Sequence, residues 1–491
     1  SSLCCSRGAR SIQWVAAMGA CVSAVQPEEA ARLKSQLQEG CTLAAQTIWE
    51  AEVMIFLNGA GFSADSGLAV YGDVAKVPAY AKRGLTYQDV CQPHWLYEEP
   101  ELFWGFWGQC YNDYRMTDPH EGYEIIHHWV GKLFRHTDTS KRLQKMCREA
   151  DRTEDDISPY EVKGRAGSFF IHTSNVDAHH YDWFPACEIR ECHGNTELYQ
   201  CAGSRHGMGR MKAHDDRCKG IWRAPLEYRF HVDKDTMLAP QVAPDESFEV
   251  VTNHWAPSGN ESDSLSAVPR VGRVKGNARR HTLRHMISGK KSDANWPDLG
   301  SPSAAAAARG FGSNHPVCPS CGGPARPAIL MFGDYSWRDN DAQEERFNTW
   351  TEQVKDLATE RKSSPLRVVL LEVGAGGNVT TIRNASEFLL KDLLEAGADA
   401  TLLRVNPDFP LADKRELAPH VVSLMGRGLE SLRMMNAFMG PAALVREMSS
   451  APPPPDLPPP APDSPVSPGS VGAPPAGPPP PPPSAPPPPP P

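Results

Sequence analysis

The stretch Glu52–Gly67 reads EVMIFLNGAGFSADSG. Its first part, Val53–Leu57, is an unbroken apolar run, which is typical of a strand buried on both faces of a sheet. The run ends at Gly59-Ala60-Gly61, and small polar residues able to start a helix follow. Glycine lets the backbone approach a ligand closely, and the free N–H groups of a helix start suit a phosphate. The stretch predicts a strand–turn–helix unit of dinucleotide-binding type, although a tight turn without a ligand fits the same residues.

Three later segments repeat this pattern of an apolar, β-rich run that ends in Gly or Asn. The runs and the loops that follow them are Ser168–His172 with Thr173–Asp177, Leu366–Leu371 with Val373–Gly377, and Ala400–Val405 with Asn406-Pro407. In an open α/β sheet, loops at the carboxyl ends of parallel strands collect around one crevice. We therefore expect an α/β fold with a Rossmann-like parallel sheet.

Two further motifs stand among these segments: Glu191-Cys192-His193-Gly194 and Cys318-Pro319-Ser320-Cys321. With them, the order of motifs resembles that of the sirtuins from about residue 40 to residue 445. His193 and Cys201 are also spaced as that family spaces its histidine and its first zinc cysteine. The resemblance implies a large Rossmann-like domain and a smaller zinc-binding and helical module at about residues 185–335.

The resemblance also implies an activity, that of an NAD-dependent protein-lysine deacylase. In this chemistry the acyl-lysine carbonyl oxygen attacks the anomeric carbon of the nicotinamide ribose, nicotinamide leaves, and the acyl group ends on ADP-ribose. His193 would deprotonate a ribose hydroxyl, a role that suits histidine near neutral pH. Asn175 would orient the ribose and a water, and Asp177 would hold the nicotinamide carboxamide. The implied NAD-binding residues are Gly59, Ala60, Gly61 and Ser63 at the pyrophosphate, Gly374, Ala375 and Asn406 at the adenosine, and Ser174, Asn175 and Asp177 near the nicotinamide.

Two segments are candidates for contact with an acyl-lysine protein substrate. Phe332-Gly333-Asp334 resembles the Phe-Gly-Glu of sirtuins, where an extended substrate adds as a strand, so Phe332 and Gly333 are expected substrate residues. The aromatic-rich stretch Trp95–Tyr114 fits either an acyl channel or a packed core, and the core is the more common outcome.

The cysteines predict one structural zinc site. Cys318 and Cys321 have the close spacing of a ligand pair, and Cys201 matches the first cysteine of the family. Ser204 stands where sirtuins usually carry the second cysteine, so Cys218 is the expected partner, displaced by a polar insertion. His206 and His214, inside that insertion, are alternatives. The expected metal ligands are Cys201, Cys218, Cys318 and Cys321.

The chain departs from the sirtuin pattern beside the nicotinamide. Ala69-Val70-Tyr71-Gly72 stands where sirtuins usually read Pro-Asp-Phe-Arg, and Ser174 replaces a glutamine. These changes leave two other functions open: a mono-ADP-ribosyltransferase or NAD glycohydrolase, and a non-catalytic NAD-binding scaffold. Retention of His193, Asn175 and Asp177 together argues against the scaffold.

Composition narrows the class of protein. The formal net charge is −9 and the pI is about 6.0, so direct nucleic-acid binding is not expected. Thirteen scattered cysteines indicate a reducing compartment, the cytoplasm or nucleus. The sequence has no apolar run of about 20 residues, the length that spans a membrane.

The remaining segments carry separate expectations. Residues 1–26 form an N-terminal extension that fits a transit peptide or, if translation starts at Met18, an N-myristoylation signal at Gly19 with Cys21 as a second acylation site. Residues 27–52 predict one amphipathic helix whose apolar positions include Leu43. Residues 253–313 predict a disordered insertion. Residues 451–491 predict an exposed polyproline tail, which acts either as a spacer or as a ligand for profilin-like, SH3 or WW partners.

Overall fold

The computed structural model describes residues 25–70, 73, 77–150, 162–203, 218, 220–225, 228–241 and 310–440. The acylation signal at Met18, the cofactor-loop residue Tyr71, the alternative ligands His206 and His214, and the tail 451–491 lie outside these residues, as does nearly all of the predicted insertion. The expectations about them stay predictions.

The described residues form a six-stranded and a three-stranded sheet. The larger sheet has the order β3-β2-β1-β7-β8-β9, and every neighbouring pair is parallel. The smaller sheet, β5-β4-β6, is antiparallel. The α/β fold with a Rossmann-like parallel sheet is thus confirmed. The strands are β1 Val53–Asn58, β2 Phe169–Thr173, β3 Ile189–Glu191, β4 Gly194–Cys201, β5 Ile221–Arg223, β6 Ala325–Ile329, β7 Arg367–Val373, β8 Asp399–Val405 and β9 Val421–Leu424.

The α-helices of the described residues cover both faces of the large sheet and one side of the small one. They are α1 Pro27–Ser35, α2 Leu37–Glu50, α3 Ala60–Ser63, α4 Pro78–Lys82, α5 Tyr87–Val90, α6 Trp95–Glu98, α7 Pro100–Met116, α8 Glu121–Trp129, α9 Asp138–Ala150, α10 Asp341–Glu360, α11 Thr381–Glu395 and α12 Gly428–Ala437.

The predicted helix over residues 27–52 is two helices, α1 and α2, that meet at Gln36. The buried face of α2 consists of Cys41, Ala44, Ala45 and Ile48, at the spacing of one helical stripe. Leu43 lies off that stripe and is 52% exposed, so its placement on the apolar face was wrong.

The strand β1 lies at the centre of the large sheet and is buried along its whole length. Its side chains alternate between two cores, as the pleat of a strand requires. Met54 and Phe56 pack in the core covered by α2, α8 and α12, through residues such as Ile48, Ile126 and Leu432. Val53, Ile55 and Leu57 pack in the core under α9, α10 and α11, through residues such as Leu143, Trp350 and Leu390. The unbroken apolar run of β1 is therefore explained by burial on both faces.

The aromatic stretch of α6 and α7 forms the core of the small module. Trp104 stacks on Phe230 with ring centroids 5.2 Å apart, and both belong to one buried cluster with Tyr111 and Tyr199. The core interpretation of this stretch is favoured over an acyl channel. Phe311 joins the cluster, with its ring 4.8 Å from that of Tyr199 and only 5% exposed. The predicted disorder through residue 313 was therefore wrong at its end, because the chain regains an aromatic anchor at Phe311.

The order of the large sheet reverses direction between β1 and β7. The chain continues from β1 through β2 to β3 on one side, and from β7 through β8 to β9 on the other. Such a switch point opens a crevice at the carboxyl ends of the strands. The loops predicted to bind a cofactor all start at this edge. Within the described helices, none combines the length and the apolar character that a membrane crossing requires.

Candidate dinucleotide site and cysteine centre

The glycine loops after β1 and β7 touch each other through their backbones. The Gly61 N–H donates to the Gly374 carbonyl at 3.0 Å. A Cβ on Gly59 would lie 2.9 Å from the Gly374 oxygen, and one on Gly61 would lie 2.8 Å from the Gly374 Cα. Sequence reasoning explained these glycines by the approach of a ligand. The structure shows a second cause, since the two loops pack without room for side chains.

The helix that follows the first glycine loop is shorter than the sequence suggests. α3 is a single turn, Ala60–Ser63, and a 3₁₀ turn continues to Ser66. A single turn offers local N–H groups to a phosphate but no long aligned dipole. The turn is fixed from outside, because Asp65 accepts the Leu429 N–H at 2.7 Å and the ring of His120 bonds the Phe62 carbonyl at 2.7 Å.

A hydrogen-bonded polar set joins the glycine loop to the loop after β2. The Ser63 hydroxyl donates to Asp177 at 2.5 Å, and the Asn175 amide donates to the Ser63 oxygen at 2.8 Å. The His179 N–H donates to the other Asp177 oxygen at 2.9 Å. Burial alone would raise the pKa of Asp177, but His179 and the Ser63 hydroxyl outweigh it and hold that pKa below its ordinary value. Asp177 is therefore a carboxylate at neutral pH.

Asn58 is a site residue that the sequence reasoning missed. It closes β1 and is fully buried. Its side-chain oxygen accepts from Thr173 at 2.7 Å and from Asn175 at 3.2 Å, and it bonds Nε2 of His180 at 3.0 Å. Burial lowers the pKa of His180 to about 4, so its neutral ring donates through Nε2. The available signal was a single polar residue at the end of an apolar run, directly before the glycines.

The amide of Asn175 is left with one free acceptor. Its nitrogen is held by Ser63 and Asn58, whereas its buried Oδ1 has no partner among the described residues. A buried acceptor without a donor costs about 1–3 kcal/mol. A sugar hydroxyl would supply the missing donor, and the adjoining glycine loops leave backbone groups for phosphates. These residues therefore fit the ribose and pyrophosphate of a dinucleotide.

His193 follows β3 and is partly buried. Its carbonyl accepts the Leu330 N–H at 3.0 Å, which ties the histidine loop to the small sheet. Gly194 has φ +71°, and a Cβ there would lie 1.9 Å from the Ala328 carbonyl oxygen, so only glycine fits after the histidine. Burial lowers the pKa of His193 to about 4, and the nearby Arg190 lowers it further against the opposite effect of Asp339. The imidazole is therefore neutral at physiological pH, the form in which a ring nitrogen can accept a proton, and its lowered pKa makes it a weaker base than an exposed histidine.

The histidine loop is joined directly to the Asn175–Asp177 loop. The Cys192 N–H donates to the Thr173 carbonyl, and the Thr196 N–H to the Val176 carbonyl, both at 2.9 Å. Beneath this junction, the buried Glu191 accepts from Asn195 at 2.7 Å and from Tyr181 at 3.0 Å. Burial raises the pKa of Glu191 to about 8 in spite of these bonds. The structure thus brings together the predicted loops after β1, β2 and β3.

The predicted adenosine-side residues shape the second glycine loop. Asn406 donates to the Ala375 carbonyl at 2.7 Å and accepts the N–H groups of Asp408 and Phe409, each at 2.9 Å. Asn406 and Ala375 are 4% and 1% exposed. Ser174, in the loop after β2, uses its N–H on the Asn58 carbonyl at 3.1 Å. The Asn406 side chain therefore acts first on the protein's own backbone.

The candidate substrate loop follows β6. The Phe332 N–H is already bonded to the Cys91 carbonyl at 3.0 Å. Asp334 turns inward and pairs with Arg326, and the side chains of this pair are 0% and 1% exposed. Gly333, which lies between Phe332 and Asp334 and has φ +66°, is exposed. The inward acid fixes the turn, and the main chain of Gly333 faces outward.

Four cysteines converge at the end of the small sheet. The sulfur atoms of Cys201, Cys218, Cys318 and Cys321 all lie within 4.8 Å of one another. Those of Cys201 and Cys321 are 3.8 Å apart. Zinc–sulfur bonds of about 2.3 Å place tetrahedral thiolates about 3.8 Å apart, so the donor set fits zinc in both chemistry and spacing. Burial raises the pKa of Cys201 to about 12, so its thiolate form depends on the charge of a bound metal.

No protein-family model matches the chain, and no curated protein matches it. Three solved structures illustrate its structural likenesses. A mutant Sir2 homologue in complex with ADP-ribose is 13% identical with a TM-score of 0.40, covering 83% of this chain and 97% of that one. A Sir2 homologue–NAD complex is 13% identical with a TM-score of 0.39, covering 83% and 94%. A complex of Sir2 with a p53 peptide and NAD⁺ is 15% identical with a TM-score of 0.36, covering 79% and 93%.

Proposed function

We propose that the chain is an NAD-dependent protein-lysine deacylase that transfers the acyl group to ADP-ribose and releases nicotinamide. The observation that carries this proposal is the junction of three loops. It combines a neutral His193, an anionic Asp177 and an Asn175 whose buried oxygen lacks a donor. These groups suit the binding of NAD and the proton transfer that acyl transfer needs.

Each of the three residues has a role that follows from its contacts. Asp177 is held as a carboxylate by Ser63 and His179, so it suits the N–H groups of a carboxamide. Asn175 is oriented by Ser63 and Asn58, so its free oxygen is aimed without further ordering and suits a ribose hydroxyl. His193 is neutral, so it can take a proton from such a hydroxyl. Bound NAD would supply the departing nicotinamide, which drives the chemistry.

We propose that the acyl-lysine protein binds as an extended strand beside Gly333. The Phe332 N–H is already used within the protein, so the exposed main chain of Gly333 is the group that such a strand would meet. The Arg326–Asp334 pair fixes the turn before any substrate binds. A prepared strand edge reduces the ordering cost of binding.

The four cysteines would hold one structural zinc. The strand β4 begins at Gly194, directly after His193, and ends at Cys201. The cysteine centre and the proposed base thus lie at opposite ends of the strand β4. All four positions around the metal would be protein thiolates, which leaves no open position for a reaction.

Further proposals concern segments outside the described residues. If translation starts at Met18, Gly19 would carry a myristoyl chain, which alone binds a membrane with K of order 10⁴ M⁻¹. A second acyl chain at Cys21 would make the anchor stable. The tail 451–491 would offer polyproline ligands to SH3, WW or profilin-like partners. Mass spectrometry of the native amino terminus tests the anchor, and an unmodified Gly19 would contradict it.

The proposed function is tested by nicotinamide release from the full chain, with and without a panel of acyl-lysine peptides. Release that depends on an acylated peptide supports the deacylase. Equal release in the absence of peptide identifies an NAD glycohydrolase, and ADP-ribose attached to protein identifies a transferase. NAD binding without nicotinamide release identifies a non-catalytic protein.

A further inference from the structure

Two neighbouring inner strands of the large sheet each carry a fully buried charged residue, where a parallel strand is normally apolar. Glu372 of β7 and Arg404 of β8 are register partners in neighbouring strands. Both are fully buried, at 0% exposure. Nε of Arg404 lies 2.8 Å from one Glu372 oxygen, and its terminal nitrogen donates to the other at 2.9 Å.

The pair extends into a network with the helix α11. Arg404 also donates to Glu387 at 3.1 Å. The buried Arg383, from the same helix, forks onto both oxygens of Asp413 at 2.9 and 2.6 Å. Ser386 donates to Glu372 from that helix as well. Every charge of the network therefore has an opposite charge or a hydrogen-bond partner.

The network acts on the loop 406–414, which follows β8. Arg404 donates to the Leu411 carbonyl at 2.8 Å, and Arg383 donates to the Phe409 and Leu411 carbonyls at 2.7 and 3.1 Å. Glu387 accepts the N–H groups of Asp413 at 2.6 Å and Lys414 at 3.1 Å. Buried charged side chains therefore make five hydrogen bonds with the main chain of one loop.

The other end of this loop faces the second glycine loop. Asn406 bonds the Ala375 carbonyl at 2.7 Å. A Cβ on Gly377 would lie 3.1 Å from the ring of Phe409, so the ring already lies against that glycine. The network, the loop 406–414 and the glycine loop thus form one continuous chain of contacts at the crevice.

Stability does not explain why these charges are buried. Replacing a buried ion pair by apolar residues of similar volume is often neutral or stabilising. What apolar residues cannot do is hydrogen-bond a loop and fix its main chain to within about 0.5 Å, the tolerance of a binding site.

We propose that Glu372, Arg404, Arg383 and Glu387 are positioning residues that hold Asn406 and Phe409 in place for the adenosine half of a dinucleotide. This inference rests on the proposed function for the nature of the ligand. The ligand class is an adenosine diphosphate derivative, for which ADP-ribose is the probe.

The test is the double variant Glu372→Leu/Arg404→Met in the full chain. It removes one charge of each sign, and Ser386 keeps its bond to the Ile382 carbonyl at 2.7 Å. We expect a melting temperature equal to or above that of the unmodified chain, unchanged zinc content and unchanged kcat at saturating NAD. We expect the Kd for ADP-ribose and the KM for NAD to rise at least tenfold. The matched control, Lys355→Met/Asp392→Leu, removes an ion pair of 3.5 Å that also reaches α11 but does not touch the loop. It should leave both constants unchanged.

A second variant, Arg404→Lys, keeps one positive charge but replaces three donor nitrogens by one. In Arg404, Nε and Nη2 face Glu372, whereas Nη1 donates to Glu387 and to the Leu411 carbonyl, so a single ammonium cannot keep both sets of contacts. It too should weaken ADP-ribose binding, whether or not the double variant folds. If the Kd for ADP-ribose is unchanged in a folded double variant, or in Arg404→Lys, the inference is overturned and the proposed function still stands. Failure of the unmodified chain to bind ADP-ribose overturns the proposed function as well.

Discussion

Gly374→Ala is the substitution for which the structure gives the sharpest expectation. Gly374 has φ +67°, a conformation that costs alanine about 1–2 kcal/mol. The new Cβ would lie 2.3 Å from the Phe62 nitrogen and 2.4 Å from the Gly61 carbonyl carbon. Ordinary contact begins near 3.4 Å, so the first glycine loop must move by about 1 Å.

Both the fold and the ligand should be affected by this movement. Overpacking against fixed backbone adds about 1–3 kcal/mol, so the total loss of stability should be roughly 2–5 kcal/mol. A displacement of about 1 Å at a catalytic site can lower the reaction rate by on the order of 10²-fold. We expect a fall of the same order, about a hundredfold, in the affinity for ADP-ribose.

Gly376→Ala, in the same loop, is the matched control. A Cβ there meets no atom within 4 Å, so its stability should stay within about 0.5 kcal/mol of the unmodified chain. Urea unfolding and calorimetric titration with ADP-ribose measure the two effects. The contact between the glycine loops would be refuted if Gly374→Ala had the same free energy of unfolding and the same affinity for ADP-ribose as Gly376→Ala.

Three further predictions concern metal, acid and the insertion. Cys318→Ser should abolish binding of one zinc per chain and unfold the small module, as measured by metal analysis and thermal melting, whereas full zinc content would contradict the site. Below a pH of about 6.5, the free energy of unfolding should decrease by up to about 1.4 kcal/mol per pH unit for each buried neutral histidine. The reason is that burial lowers the pKa of His172 to about 3 and that of His180 to about 4, so the unfolded chain takes up the protons. Urea unfolding from pH 7 to 5 tests this, His172→Phe should flatten the slope, and an unchanged slope would count against it. Deletion of residues 255–309, which spares Phe311, should leave nicotinamide release nearly unchanged, and a collapse of release would show a structured role for the insertion.

The sequence predicted the sheet because its decisive signals are local. The apolar run of β1 followed by Gly59-Ala60-Gly61 needs no knowledge of distant residues, and the same holds for the Asn175 and His193 loops. The contacts between loops were beyond such signals. That Gly59 and Gly61 face Gly374 depends on how β1 and β7 pair, which no window of sequence contains.

The features that the sequence did not predict also depend on distant partners. Glu372 and Arg404 look like interruptions of apolar strands until the sheet pairs them with each other and α11 adds Glu387 and Ser386. Phe311 ends a stretch of low-complexity composition, and only the aromatic core formed by Tyr199 and Tyr228 shows that it is an anchor. In each case a distant partner decides the role of the residue.

The central claim is that His193 acts as the base in acyl transfer to ADP-ribose. Mass spectrometry of acyl-ADP-ribose, made by the full chain from NAD and acyl-lysine peptides, tests it most directly. We expect the unmodified chain to form this product. His193→Ala should lower the rate by about 10²–10⁴-fold, with the melting temperature and the Kd for ADP-ribose retained. Full product formation by a folded His193→Ala chain, or none by the unmodified chain with any acyl-lysine peptide, would contradict the account.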